Sequence, residues 1–517
     1  MKRHSNFKLL ILLAYFFVLN FSVLAANESI SLKWEASFSP YGKKMLLIVA
    51  TQGKQFTVNW GDGSPIDTVV AWGNLQLIAH AYSNTNTDYF TVTITGVTSD
   101  CLFYQLHCDY SKLTSLDVSN AKSLRVLWCN DNQITILDVS KNTNLQTLGC
   151  YNNQLTSLNV DHCTALIGLD CRNNQLTSLK LDNHPALSGL DCSNNQITNL
   201  DVSSAIDLQS LLCQYNQLTS LNVGNMGNGA LWSSIDCYNN RLTSLDVSNT
   251  NRLSSLSCYN NQLTSLNVSN SSLSSLQCAN NQLESLDVSS CTRLTSFGCS
   301  YNNLTNLDVS NCKLLMYFSC NDNHLTLSNL YTISKSVTVS IYNLCLGPQT
   351  LALPEIELGA SVDFSEQKVF DGISTVYTIK KNGLPASQND YTLVDGIITF
   401  YNGGNYTIAM TNAAIESHPG WPAKVLAEIK VGNVNIAEPK EEVFKIRAYP
   451  NPTPNKFVVE YEGVASIILY DMLGKEVLRQ NINGNTEIAL NQATKGVYCM
   501  NVISEGKMIG SRKIVKQ

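Results

Sequence analysis

The chain has 517 residues, a formal net charge of −6 and only 14% charged side chains, against about a quarter in an average protein. Serine, threonine and asparagine cover the surface instead, and the mild acidic excess excludes the basic footprint of a nucleic-acid binder. Seventeen cysteines in an exported chain would ordinarily signal a disulfide framework, so their spacing decides how they are read.

Residues 1–26 have the layout of a secretory signal peptide. Lys2, Arg3 and Lys8 precede an apolar run from Leu9 to Leu19, and Ser22-Val-Leu-Ala25-Ala26 supplies small residues for cleavage. The run is too short to span a bilayer, and no other segment is long and apolar enough, so a soluble mature chain is expected. Losing the three cationic side chains moves the formal charge from −6 to −9.

Residues 27–99 alternate apolar and polar, as in Ile30-Ser-Leu-Lys-Trp34, Phe56-Thr-Val-Asn-Trp60 and Phe90-Thr-Val-Thr-Ile94. Period two with intervening turns predicts an antiparallel sandwich. Trp60-Gly-Asp62-Gly63-Ser64 with His80-Ala-Tyr82 resembles the polycystic-kidney-disease type of immunoglobulin-like domain. Its place ahead of a repeat region suggests a cap over the first coil. Asp62 by itself lacks the several convergent oxygens that calcium requires.

Residues 100–345 carry the dominant signal. Cys108, Cys129, Cys150, Cys171, Cys192, Cys213, Cys237, Cys258, Cys278, Cys299 and Cys320 recur every 21 residues, save one step of 24 and one of 20. Such a period means one unit stacked on copies of itself, because a single unit cannot bury its apolar face. The unit is L-x-x-L-x-C-x-x-N-x-L-x-x-L-x-V, clear from Leu145 through Leu148, Cys150, Asn153, Leu155 and Leu158 to Val160. Leu148 and Cys150 are two apart, so a strand turns both inward. The recurrent asparagine can bond backbone groups as the chain leaves the strand. Equivalent cysteines would stand side by side roughly 5 Å apart with parallel side chains, a poor geometry for disulfides, so a ladder of buried free thiols is expected. Cys101, Cys163, Cys291, Cys312, Cys345 and Cys499 lie off the ladder, and Cys291 and Cys312 can either pair or stay free. With no C-x-x-C and no clustered histidines, zinc is not expected.

The phrases Asn153-Gln-Leu-Thr-Ser-Leu158, Asn261-Gln-Leu-Thr-Ser-Leu266 and Leu137-Asp-Val-Ser140 resemble the internalin J type of cysteine-containing leucine-rich repeat found in bacterial surface proteins. The resemblance implies cell-surface binding or adhesion and names no receptor. Asp117, Asp138, Asp201, Asp246, Asp287 and Asp308 share one register. Asn159, Lys180, Asn222 and Asn267 interrupt it, so turn capping is favoured over a row of cation sites.

After the repeats, residues 346–440 alternate again, in Ser374-Thr-Val-Tyr-Thr-Ile379, Tyr391-Thr-Leu-Val394, Ile397-Ile-Thr-Phe-Tyr401 and Tyr406-Thr-Ile-Ala-Met410. Turns at Lys381-Asn-Gly383 and Asn402-Gly-Gly404 predict an immunoglobulin-like spacer. Residues 441–517 form a linker and a short β-domain. Its Tyr449-Pro-Asn-Pro452, Gly474-Lys-Glu-Val477, Lys495-Gly-Val-Tyr498 and Lys513-Ile-Val-Lys516 are similar to the C-terminal sorting domain of type IX secretion cargo in Bacteroidota. That resemblance implies handling by the type IX machinery, export across the outer membrane, removal of the domain and attachment to surface lipopolysaccharide. The expected architecture is therefore mainly β: a leucine-rich repeat solenoid of about eleven repeats with a cysteine ladder, flanked by β-sandwich domains.

No G-x-S-x-G, H-E-x-x-H or P-loop is present, so neither an enzyme nor a cofactor is expected. Function is expected on residues flanking each Leu-x-Cys pair, which alternate outward. Trp128, Tyr151, Asp170, Arg172, Asp191, Leu212, Asp236, Tyr238 and Tyr259 are the candidate ligand-binding residues there. Aromatics and arginine are the usual anchors of protein contacts, and carboxylates beside them confer specificity. The plain alternative is that tyrosine is merely tolerated on a strand. The favoured function is a secreted surface protein that binds protein ligands on host or neighbouring cells, in adhesion, host interaction or biofilm. A glycan-binding module is the second reading and an enzyme a distant third.

Overall fold

The computed structural model describes residues 27–35, 43–82, 89–227, 233–269, 272–432, 446–461, 463–471, 475–504 and 507–517. The signal segment and the linker before residue 446 lie outside the described residues. Two compact units result, Met1–Gly432 and Asn433–Gln517.

The period-two segments at the N-terminus form strands Ser29–Glu35, Lys44–Ala50, Gln55–Asn59, Asp67–Val70, Gln76–His80 and Tyr89–Gly96. Their inward residues bury Trp34, Phe56 and Trp60, with the two indoles stacked at 6.3 Å. Asp62 is occupied within the domain: His80 Nε2 lies 2.8 Å from its carboxylate and the Ser64 amide donates to it at 3.0 Å.

Both sheets of this cap run on into the repeats. Lys44–Ala50 pairs antiparallel with Phe103–His107, and Ser29–Glu35 pairs with Leu113–Asp117. The reason is physical: a bare solenoid end leaves both an apolar core and an unpaired strand edge in water. The buried Glu28 carboxylate accepts from the Phe103 amide at 2.7 Å and the Ser123 amide at 2.8 Å. It thereby ties the first strand to two coils. Lys44 Nζ donates to the Ser111 carbonyl at 2.9 Å.

Beyond Phe103–His107 the strands are parallel and short, as in Val126–Trp128, Thr147–Gly149, Gly168–Asp170 and Gly189–Asp191. Register is kept coil to coil, so Leu127, Leu148, Leu169 and Leu190 form one inward row. All eleven ladder cysteines are buried, and no described cysteine is in a disulfide. Burial pushes their thiols up, Cys278 to about 12, which leaves them inert packing groups.

Each repeat asparagine closes its turn. Asn153 Nδ2 donates to the carbonyls of Cys129 and Cys150 at 2.9 and 3.1 Å, and its Oδ1 accepts from the Ile134 amide at 3.0 Å. The aspartate row is a row of turn caps: the amides of Ser140, Ser289 and Ser310 donate to Asp138, Asp287 and Asp308 at 2.8 Å each. Asn159 and Asn267 accept in the same way from Asp161 and Ser269.

The far end is closed by the helix Leu327–Ser336, started by a capping box of Thr326 and Asn329 and burying Leu327, Leu330 and Ile333. Residues 326–345 carry a last rung as well as this lid, because Leu344–Cys345 still pairs with Phe318 and Ser319. The next sandwich has one sheet ordered Gln349–Ala352, Lys424–Val431, Gly404–Thr411, Val376–Lys381 and Leu384–Pro385. Its other sheet is ordered Ser361–Asp363, Ile397–Phe400 and Tyr391–Val394. The hairpin at Asn382-Gly383 has φ of 48° and 83°, the left-handed pair that an Asn-Gly turn supplies.

The second unit has its own core of Phe457, Val459, Ile467, Leu469, Met500 and Ile514. A sheet of three strands, Arg447–Tyr449, Lys456–Glu460 and Thr486–Ala489, faces one of four. The four are Glu476–Asn483, Val464–Tyr470, Gly496–Ser504 and Lys507–Lys516. Cys499 is exposed here.

Candidate ligand-binding face

The parallel strands set the nine candidate side chains in columns, one residue before and one after each ladder cysteine. Asp170 and Asp191 are in direct register on adjacent strands. Arg172 Nη1 reaches both, 3.2 Å from Asp170 Oδ2 and 3.1 Å from Asp191 Oδ2. Its guanidinium also lies 4.3 Å from the Tyr151 ring centroid, a cation–π contact. Tyr151, Asp170, Arg172 and Asp191 thus form one cluster spanning three coils.

The columns are less open than alternation alone predicts. Asp170 and Asp191 are only 7% and 2% exposed, while Trp128, Tyr151, Arg172, Leu212, Asp236, Tyr238 and Tyr259 are half-buried. Tight parallel stacking, with long neighbours folding over short ones, sinks the carboxylates into the face. One guanidinium between two carboxylates leaves a negative charge in a poorly hydrated place. Burial first, and the Asp191 charge second, push Asp170 up to about 8.

The remaining candidates fall elsewhere along the same face. Trp128 has a packing role that its residue type does not reveal, since it stacks on His107 at 6.0 Å and 27°. Tyr238 and Tyr259 stack face to face at 4.4 Å and 8°. Leu212 lies in register between Asp191 and Asp236 and joins the charged cluster to the aromatic one.

Sequence reasoning passed over Tyr215, which packs edge-on against Tyr238 at 5.4 Å. It stands two residues after its cysteine, in the left-handed region with φ of 57°. Asparagine or aspartate holds the equivalent place in most coils, so Tyr110, Tyr215 and Tyr301 were visible as tyrosines in an asparagine column. Gln214, Asp131 and Asn130 were also passed over, being unremarkable as residue types.

Residues 447–517 match the family model described as the secretion system C-terminal sorting domain, and residues 122–162 match leucine-rich repeats in two copies. No curated protein sequence matches the chain. Among solved structures, the chain is similar to the functional domain of InlJ from Listeria monocytogenes, which includes a cysteine ladder. There the identity is 22% over 65% of this chain and 93% of that one, with a TM-score of 0.29. It is similar to the internalin InlF of the same organism at 22% identity, over 49% and 84% of the two chains, TM-score 0.37. It is also similar to YopM, a leucine-rich effector protein from Yersinia pestis, at 24% identity over 44% and 62%, TM-score 0.35. No helix among the described residues is long and apolar enough to cross a membrane. The chain is a leucine-rich repeat protein with a cysteine ladder, and its type IX sorting domain marks it for secretion to the outer surface.

Proposed function

We propose that this protein is a surface adhesin or interaction protein that binds a protein ligand along the face formed by the cysteine-flanking columns. It acts in attachment to host or neighbouring cells or in biofilm, without catalysis, once the type IX machinery has displayed it on surface lipopolysaccharide. The observation that carries the choice is how the aromatics are held. His107 stacks on Trp128, Arg172 lies over Tyr151 and Tyr259 stacks on Tyr238, so a neighbour on the adjacent coil takes a face of each ring. A sugar platform uses open ring faces, and these contacts remove several of them. Rigid aromatic edges and hydroxyls beside partly buried carboxylates are what a protein partner uses.

Attachment of cells displaying the full chain tests this. Trp128→Ala and Tyr151→Ala should each weaken attachment by about 2 kcal/mol, roughly thirtyfold, with only a small change in melting temperature. Normal attachment by both variants, with loss on altering the cap or the second sandwich, would move the binding site off this face.

A further inference from the structure

We infer that the ligand offers a cationic polypeptide segment to this face, seating lysine or arginine side chains at Asp131 and at Asp236 beside Leu212. This rests on the reading of the cysteine-flanking columns as the binding face and specifies the partner's chemistry.

Unfilled hydrogen-bonding capacity points the same way. Asp131 Oδ2, Gln214 Oε1 and Asp236 Oδ1 are buried and have no partner among the described residues, and Gln214 is 9% exposed. All three are acceptors, spread over six coils of the face, and they outnumber its one unfilled amide donor, Asn130 Nδ2. Buried acceptors left empty cost stability, so they are retained where a ligand supplies the donors.

Charge agrees. The ladder strands from Phe103–His107 to Ser233–Asp236, with the two residues after each ladder cysteine, carry Asp109, Asp131, Asp191 and Asp236 against Arg172 alone, once Asp170, which holds its proton near neutral pH, is set aside. Arg172 is already shared by two carboxylates. This excess complements a cation.

Shape selects among cations. Among the described residues, no three histidine, cysteine, aspartate or glutamate side chains converge as metal ligands. The covered ring faces disfavour an amino sugar. Leu212, half-buried and in register with Asp236, suits the aliphatic stem of a lysine or arginine whose head reaches the Asp236 carboxylate.

Titration calorimetry on the full mature chain at about 150 mM salt tests the inference with three probes: octalysine, octaglutamate and a glucosamine hexamer. Octalysine should bind, octaglutamate should not, and the hexamer should bind at least tenfold more weakly than octalysine. Changing Asp131→Asn and Asp236→Asn together should weaken octalysine about tenfold. The same charge removed at Asp287→Asn and Asp308→Asn should change nothing, and those caps tolerate asparagine because Asn267 already fills that role. Ladder thiols that stay unreactive in the native state confirm that each variant is folded.

Equal weakening by both pairs would reduce the effect to bulk charge and overturn the inference. So would equal binding of the hexamer, or no binding of octalysine. If Trp128→Ala and Tyr151→Ala abolish cell attachment while the Asp131 and Asp236 pair leaves it intact, the face stands and the cationic partner falls. If none of the four changes attachment, the face itself falls.

Discussion

At Tyr110 and Tyr215 the chain carries a cost that its turn does not require. Left-handed backbone costs an ordinary residue about 1–2 kcal/mol, and asparagine bears it more easily. Tyr110 has φ of 54° and is 75% exposed, so Tyr110→Asn should raise unfolding free energy by about 0.5–1 kcal/mol. At Tyr215 the edge contact with Tyr238 is worth about 0.5–1.5 kcal/mol and offsets the relief. Tyr215→Asn should therefore leave denaturant midpoints nearly unchanged while weakening attachment. A clear stabilisation there would remove the argument that the ring is held for binding. Asp170 gives a pH signature. Its carboxyl is raised to about 8 in the folded chain against about 4 unfolded. The folded state thus holds the proton more tightly, and this group's stabilisation is complete at low pH and lost as pH rises from about 4 to 8. Denaturation of wild type and Asp170→Asn at pH values across that window should show the variant losing less stability toward pH 8. Identical slopes would show that Arg172 keeps Asp170 ionised.

Among elements, the repeat depends more on its asparagine than on its cysteine. Asn195 Nδ2 donates to the carbonyls of Cys171 and Cys192 at 3.0 and 3.1 Å, and Oδ1 accepts from the Leu176 amide at 3.0 Å. Asn195→Ala leaves the Leu176 amide without its acceptor and takes one of two donors from each carbonyl, since Asn174 and Asn216 still donate to Cys171 and Cys192, and should cost about 2–3 kcal/mol in urea unfolding. Cys213→Ser keeps the volume but buries a poorly paired hydroxyl, for about 1–3 kcal/mol. Thiol titration should find the ladder free when unfolded and protected when native; peptide mapping that finds consecutive ladder cysteines joined would contradict the packing role. These elements were legible because their cause is local and repeated. The Leu-x-Cys alternation, the exit asparagine and the Asp-Val-Ser cap each depend on one residue type at one offset.

For the whole molecule, continuity between cap and solenoid matters most. The cap shares strand pairing with the first coils in both sheets, and Glu28 bridges them while almost fully buried. Glu28→Ala leaves the amides of Phe103 and Ser123 without their acceptor. It should lower the melting temperature of cap and repeats together, in one transition; separate melting of the cap would show the sheets to be uncoupled. Export belongs to the other unit, whose core is its own. A chain truncated before Tyr449 should accumulate in the periplasm, and the surface form should lack the region after about Lys445; normal display of the truncation would contradict type IX handling.

The period, the inward Leu-x-Cys rows, the sandwich segments and the sorting motifs were all readable from residue order, because each depends on neighbours within one repeat or hairpin. The ligand face was readable only as columns of residue types. Which side chains meet across coils came from the stacking of strands. That stacking laid Arg172 over Tyr151 and between two aspartates, sank Asp170 and Asp191 out of water, and turned the tyrosine faces onto one another. Burial and contact across coils depend on the rise and register between repeats, which no single repeat encodes. The same holds for the cap: alternation predicts a sandwich, but only the open end of the solenoid, with its unpaired edge and bare core, decides that the sandwich continues into the repeats.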